Sequence, residues 1–232
     1  MKNMYWFSIL FFAGCSSPTV TQYGGMRDAL RMGNTQARVT FEEIARTPHA
    51  FAVGALTNLA GEVTVFDGNV YTATTNDGET AFTSINKSEF ASATLLSLAY
   101  VPKWISMELP SKLPLEDAIE LAASLLGTDT SEPFPFYIKG TANEFKLHVI
   151  NGFCPVAKPD LAPEFQPWRL ESTGTEPITV VGIYAKNQEG VMTHHGSDVH
   201  IHGILKMRGE ITSGHLDSVA LEPGALIYIP AN

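Results

Sequence analysis

Asp198-Val-His200-Ile-His202-Gly-Ile-Leu-Lys-Met-Arg-Gly209-Glu-Ile-Thr-Ser-Gly214-His215-Leu-Asp-Ser-Val-Ala-Leu221 is the most informative stretch of the chain. Strand-like runs flank Lys206-Met-Arg-Gly209, and Gly209 supplies a bend, so the stretch reads as a β-hairpin. Residues two apart on a strand project from the same face, so His200 and His202 point together. His215, thirteen residues after His202, comes back on the neighbouring strand. A catalytic divalent metal needs three such imidazoles and an open position for substrate. Zinc is the default ion for a His-rich set, although Fe, Ni, Co and Cu also accept imidazole. A His-x-His pair by itself is more often a surface or hydrogen-bonded pair. The Gly-His that follows a hairpin of suitable length makes His200, His202 and His215 a candidate metal set. His194 and His195 read as residues of the preceding Gly-containing loop, and the isolated His49 and His148 read as structural.

Outward from this hairpin the chain continues as short strands. Pro177–Tyr184 precedes it and Ala225–Pro230 follows it. Upstream, alternation in Glu62-Val-Thr-Val-Phe66 before Asp67-Gly68 signals another strand and turn. Ala81–Ile85, Ala93–Tyr100, Pro133–Lys139 and Glu144–Ile150 are further strand candidates. Two helices stand out. Thr40-Phe-Glu-Glu43 has the form of a capping box opening a short helix. Leu115–Leu126 places Leu115, Ala118, Ile119 and Ala122 on one face, with Pro114 before it, acids in its first turn and Gly127 after it. Cys154–Trp168 reads as a Pro-rich extended connection. Many strands and few helices predict a mixed, β-rich α/β fold with the metal site on a C-terminal hairpin.

The chain has 232 residues, enough for a sizeable core, with 44% hydrophobic and 17% charged residues. Its formal net charge is −9, with Lys and Arg scattered, which argues against a nucleic-acid groove. Met1–Ser17 (MKNMYWFSILFFAGCSS) has one Lys before an apolar run too short for a permanent membrane span but right for a signal-peptide core. The run ends in Phe12-Ala-Gly-Cys15, which resembles a bacterial lipobox; Cys15 would be lipidated and become the mature N-terminus. A plain secretory signal is the alternative. Cys154 is the only other cysteine. A lipidated Cys15 leaves no disulfide, so an exported body must be held by core packing, helped by a metal if one binds. The expected layout is a signal peptide over 1–14, a tether and lead-in over 15–37, and one domain over 38–232. The expected location is the cell envelope, with a lipid anchor as the only membrane contact.

Taken together, the motifs resemble α-acetolactate decarboxylase, a family that converts 2-acetolactate to acetoin and carbon dioxide. The His200-Ile-His202…Gly214-His215 pattern is similar to that family's metal motif. Val39-Thr-Phe41…Phe51-Ala-Val-Gly54-Ala-Leu-Thr57…Gly61-Glu62-Val…Asp67-Gly68 is similar to its N-terminal signature, and the resemblance extends over roughly residues 38–230. The His pattern is shared with a small related domain, the plant and prokaryote conserved domain, so the Glu62 segment is the more discriminating part. The resemblance implies the acetolactate-decarboxylase-like fold, His200, His202 and His215 as metal ligands, and Glu62 as a proton-handling group beside the metal. From the residues alone, Glu62 could equally be a solvated strand-end charge. Two departures stand out. Asn151 occupies the place of the family's active-site arginine, for which Arg169 or Lys146 are candidate substitutes. The family's C-terminal tail with a further glutamate has no counterpart before Asn232. These leave three readings: a metal-dependent decarboxylase of a small hydroxy-keto acid, a non-catalytic metal- or ligand-binding lipoprotein of the same fold, and a related lyase acting on another small acid. Monomer and homodimer are both open.

Overall fold

The computed structural model describes residues 18–45, 47–86, 92–153, 160, 162, 165–207 and 209–231. The expected signal peptide, the lipidation site Cys15 and most of the Pro-rich stretch from Cys154 lie outside these residues. The first half of the chain builds one antiparallel sheet from β1 (Thr21–Tyr23), β2 (Val39–Thr40), β3 (Ala50–Leu56), β4 (Glu62–Phe66), β5 (Asn69–Thr75), β6 (Ala81–Ile85) and β7 (Ser92–Tyr100). The second half builds another from β8 (Trp104–Glu108), β9 (Phe134–Val149), β10 (Trp168–Ser172), β11 (Glu176–Tyr184), β12 (Val199–Met207), β13 (Glu210–Leu221) and β14 (Leu226–Pro230). Three α-helices accompany them among the described residues: α1 (Met26–Met32), α2 (Phe41–Ala45) and α3 (Leu115–Leu125).

The mixed, β-rich reading holds, and three features go beyond it. Strand β9 runs unbroken through sixteen residues, where the sequence reads as two strands separated at Gly140. Its first half pairs with β11 and β14 and its second half with β13 and β10. Because β11 also pairs with β12, and β12 with β13, the ring β9–β11–β12–β13 closes on itself. Closure removes two edges that would otherwise need protection. Phe136, Ile138, Phe145, Leu147, Val180, Leu205 and Leu216 belong to the core of this sheet, and Ala118, Ile119 and Ala122 of α3 pack into it. The third feature concerns the segment read as tether and lead-in. From Thr21 it is integrated: β1 pairs with β7, and Met26 and Ala29 of α1 are buried with Ala55, Leu95 and Ile150.

The two sheets meet face to face. Val53 of β3 packs with Val181 and Ile183 of β11. Beside it Phe51, Phe66, Trp104 and Tyr137 form edge-to-face pairs, with Phe51–Tyr137 and Tyr137–Tyr228 stacked at 6.0 and 4.2 Å. Each buried aromatic adds about 0.5–1.5 kcal/mol per pair beyond area burial. This apolar seam fixes how β4 faces β12 and β13, which is what the site depends on. No helix among the described residues is long and apolar enough to cross a membrane.

Candidate metal centre

Alternation along β12 decides where its histidines go. Val199, Ile201 and Leu205 enter the core of the second sheet, so His200 and His202 turn the other way, towards the first sheet. His202 lies opposite His215 in the β12–β13 register, and His215 lies opposite His148 in the β13–β9 register. One imidazole row therefore crosses three strands. His200, His202 and His215 are buried and each presents a ring nitrogen within 4.8 Å of the others. A tetrahedral ion with bonds of about 2.0–2.1 Å holds its ligand nitrogens roughly 3.3 Å apart.

The hydrogen bonding fits the same arrangement. His200 Nδ1 and His202 Nε2 are buried without a hydrogen-bond partner among the described residues. A buried unpaired acceptor or donor is costly, and a cation at this point would use both nitrogens. The opposite nitrogen of His202 is engaged: Nδ1 lies 2.9 Å from Thr64 Oγ1, which is 3.0 Å from Ser213 Oγ. With Nδ1–H donating to Thr64, the Nε2 lone pair is left free, as a ligand requires. Burial, and then the neighbouring histidines, push all three imidazoles far below their ordinary pKa, that of His202 to about 3. They are neutral at physiological pH, the form that binds metal.

Glu62 reaches the same place from the first sheet. It and Thr64 are two apart on β4 and share the face turned to the histidines. Gly61 lets β4 begin there: its φ is 154°, and a Cβ would sit 2.1 Å from the Ala73 carbonyl oxygen. Glu62 is 4% exposed, which excludes a solvated strand-end charge. Its Oε2 is 3.7 Å from His202 Nε2 and its Oε1 is 3.9 Å from His148 Nε2. Burial raises its pKa to about 7, against the opposing charge of His148 and a hydrogen bond from the Ile150 backbone. A carboxyl tuned to neutrality can hold or release a proton at physiological pH.

Two histidines read from the sequence as incidental belong here. His148, taken as structural, faces Glu62, and its ring is 4.9 Å from that of His215. Its Nδ1–H donates to Asp217, 2.9 and 3.0 Å from the two carboxylate oxygens. The β13–β9 register shifts between Leu216 and Ser218, so Asp217 is the extra residue of a β-bulge that aims it at His148. Burial pulls the His148 pKa down, but the Asp217 hydrogen bond and the charges of Glu62 and Asp217 outweigh it, and the net shift is upward. His194, taken as a loop residue, sets its ring 4.9 Å from His215 and 5.9 Å from His200. His49 lies elsewhere, beside Asp67. The expected sequence signal for His148 was absent because it is a lone histidine on a strand 67 positions from its partner His215.

A cavity of about 750 Å³ opens onto this cluster, within the usual range for small-molecule sites. Glu62, His148, His194, His200 and His215 line one part of it. Arg27 and Arg31 of α1 line another, as do Glu116 and Asp117 at the start of α3. Ile150 is in the wall, and Asn151 follows it in the chain as a partly buried residue. Lys146 is on the surface, 3.6 Å from Glu171, and Arg169 is exposed on β10 opposite His148. Neither Arg169 nor Lys146 lines the cavity; the cations that do are the arginines of α1.

No family model matches the chain, and no curated protein matches its sequence. Solved structures do match. The α-acetolactate decarboxylase of Bacillus subtilis strain 168 superposes with a TM-score of 0.65 at 17% identity, covering 92% of this chain and 86% of that one. The enzyme of Bacillus subtilis subspecies spizizenii gives 0.65 at 18% over the same shares. A Staphylococcus aureus protein of unknown function, similar to α-acetolactate decarboxylase, gives 0.64 at 15%, again over 92% and 86%.

Proposed function

Starting from a chain that has the acetolactate-decarboxylase fold, we propose that it is a metal-dependent lyase that converts 2-acetolactate to acetoin and carbon dioxide. One observation carries the reading. Three neutral imidazoles with ring nitrogens within 4.8 Å of one another, those of His200 and His202 buried without a partner, meet a buried carboxyl whose pKa is raised to about 7, at the edge of one cavity and brought there by different sheets. His200, His202 and His215 would hold the ion. When bound, a divalent cation with zinc as the first choice supplies the positive charge that draws electrons out of the breaking bond.

The reaction breaks the bond between the carboxylate carbon and the carbinol carbon. Carbon dioxide leaves, and the electron pair stays on the carbinol carbon, spread onto the adjacent ketone. One proton must then arrive at that carbon. Glu62 is placed to deliver it, because burial holds its carboxyl protonated to about pH 7. His148, fixed by Asp217 and 3.9 Å from Glu62, is placed to return the proton from the cavity side. Thr64 orients His202, and no organic cofactor is required.

The apolar leader and Cys15 support export and lipid anchoring, which we include in the proposal. The test is acetoin release from 2-acetolactate by the zinc-loaded full chain. Wild type turns over, His200→Ala loses zinc and activity, and Glu62→Gln keeps zinc but loses roughly 100-fold or more in rate. Stoichiometric zinc without any acetoin would instead support a metal-binding lipoprotein of the same fold.

A further inference from the structure

Helix α1 lies in a segment whose sequence suggests no chemistry, yet it forms part of the cavity wall. Arg27 and Arg31 are four apart, so they leave the same side of the helix. They are the only lysine or arginine side chains in the wall among the described residues. The acids that line it are mostly engaged. Glu62 faces His202 and His148, and Asp217 is bound to His148. Glu116 accepts from Ser197 Oγ at 2.6 Å and from the Asp198 backbone at 3.3 Å. Asp117 is exposed. Asp28, the acid next to Arg27, folds back over Gly25. Neither guanidinium has an ion pair or side-chain hydrogen bond among the described residues.

The helix is held in place by the loop that leads to the histidines. The Met26 and Arg27 backbone N–H groups donate to Val191 and Gly190 at 3.1 and 2.8 Å. Gly190 has φ +76°, and a Cβ there would come within 3.2 Å of Arg27 Nη2, so the guanidinium lies across bare backbone. Gly190 in turn donates to the Thr193 carbonyl at 2.8 Å, and Thr193 lines the cavity with a buried hydroxyl that lacks a partner. Two forked cations and a free hydroxyl donor thus border the cavity that holds the imidazoles.

We propose that Arg27 and Arg31 form the carboxylate subsite of this cavity and select a small 2-hydroxy acid over its uncharged analogues. The assignment rests on the decarboxylase reading for its substrate, but not for its binding chemistry. Planar guanidinium groups match a carboxylate in a bidentate manner that lysine cannot reproduce. Their grip acts on the ground state, since the charge leaves as carbon dioxide, so they are specificity-determining residues and not proton-transfer groups.

Calorimetric titration of the zinc-loaded full chain tests this, using 2-acetolactate with its ketone reduced to an alcohol, and the methyl ester of the same compound. Wild type prefers the acid. Arg27→Gln/Arg31→Gln weakens acid binding roughly 10- to 100-fold, as loss of charge-assisted hydrogen bonds does. Ester binding and zinc stoichiometry stay unchanged, and Arg27→Lys/Arg31→Lys recovers only part of the loss. Equal weakening of acid and ester, no weakening, or no acid binding by wild type overturns the assignment. Acid binding that depends on the arginines without acetoin production leaves the subsite standing and removes the decarboxylase reading. Acetoin production with KM unchanged in the double variant does the reverse.

Discussion

Glu62 concentrates the chemistry of the site in one side chain, and its environment makes a signed prediction. Burial lifts its folded-state pKa from an ordinary carboxyl value of 4.5 to about 7. A carboxyl raised on folding binds its proton more tightly in the native state, so it costs stability as pH rises from about 4.5 to about 7. The imidazoles of His200, His202 and His215 act in the opposite sense, since they resist protonation that the unfolded chain accepts below about pH 6.5, whereas His148 is shifted upward. The total slope therefore mixes both, and the difference between two proteins reports Glu62 together with its coupling to His148. Metal-free Glu62→Gln should melt increasingly above metal-free wild type as pH rises through this window, with a stability difference of up to a few kcal/mol at pH 8. Parallel melting curves from pH 4.5 to 8 would contradict the burial argument. Glu62 also shows what a sequence alone leaves open at this scale. Its strand was legible from alternation, but whether it faced water or the interior depended on the opposite sheet.

Strands explain which parts of the site could be read. His200, His202 and His215 sit within one hairpin, so period-two alternation and a turn suffice to bring them together. His148 and Asp217 needed the pairing of β13 with a distant strand and a bulge that no local pattern announces. Strand β9 looked divided at Gly140 because its two halves serve different partners, and the ring closes only through its full length. Helix α1 is seven residues long and buries only Met26 and Ala29, so periodicity gave it no signal. At this scale the contact between β4 and β12 is open to test. Thr64 holds His202 Nδ1 across the gap between sheets, and Thr64→Val keeps the shape but removes the hydroxyl. Zinc affinity should fall roughly 10- to 100-fold, the usual effect of removing such an outer hydrogen bond. A competition titration against a chelator measures it, and an unchanged affinity would show that Thr64 does not orient the ring.

The whole molecule is two sheets that are separately ordinary and jointly form a site. The first contributes Glu62 and Thr64, the second contributes the histidines, and α1 and the start of α3 flank the opening. The aromatic seam of Phe51, Phe66, Trp104, Tyr137 and Tyr228 keeps the two faces in register, so the chemistry depends on packing some distance from it. X-ray absorption at the zinc edge of the metal-loaded full chain asks most directly whether one cation joins these parts. The account predicts three imidazole nitrogens at about 2.0–2.1 Å with oxygen completing the shell, and loss of the ordered signal in His202→Ala. Sulfur in the shell, or a spectrum indifferent to that substitution, would place the ion elsewhere.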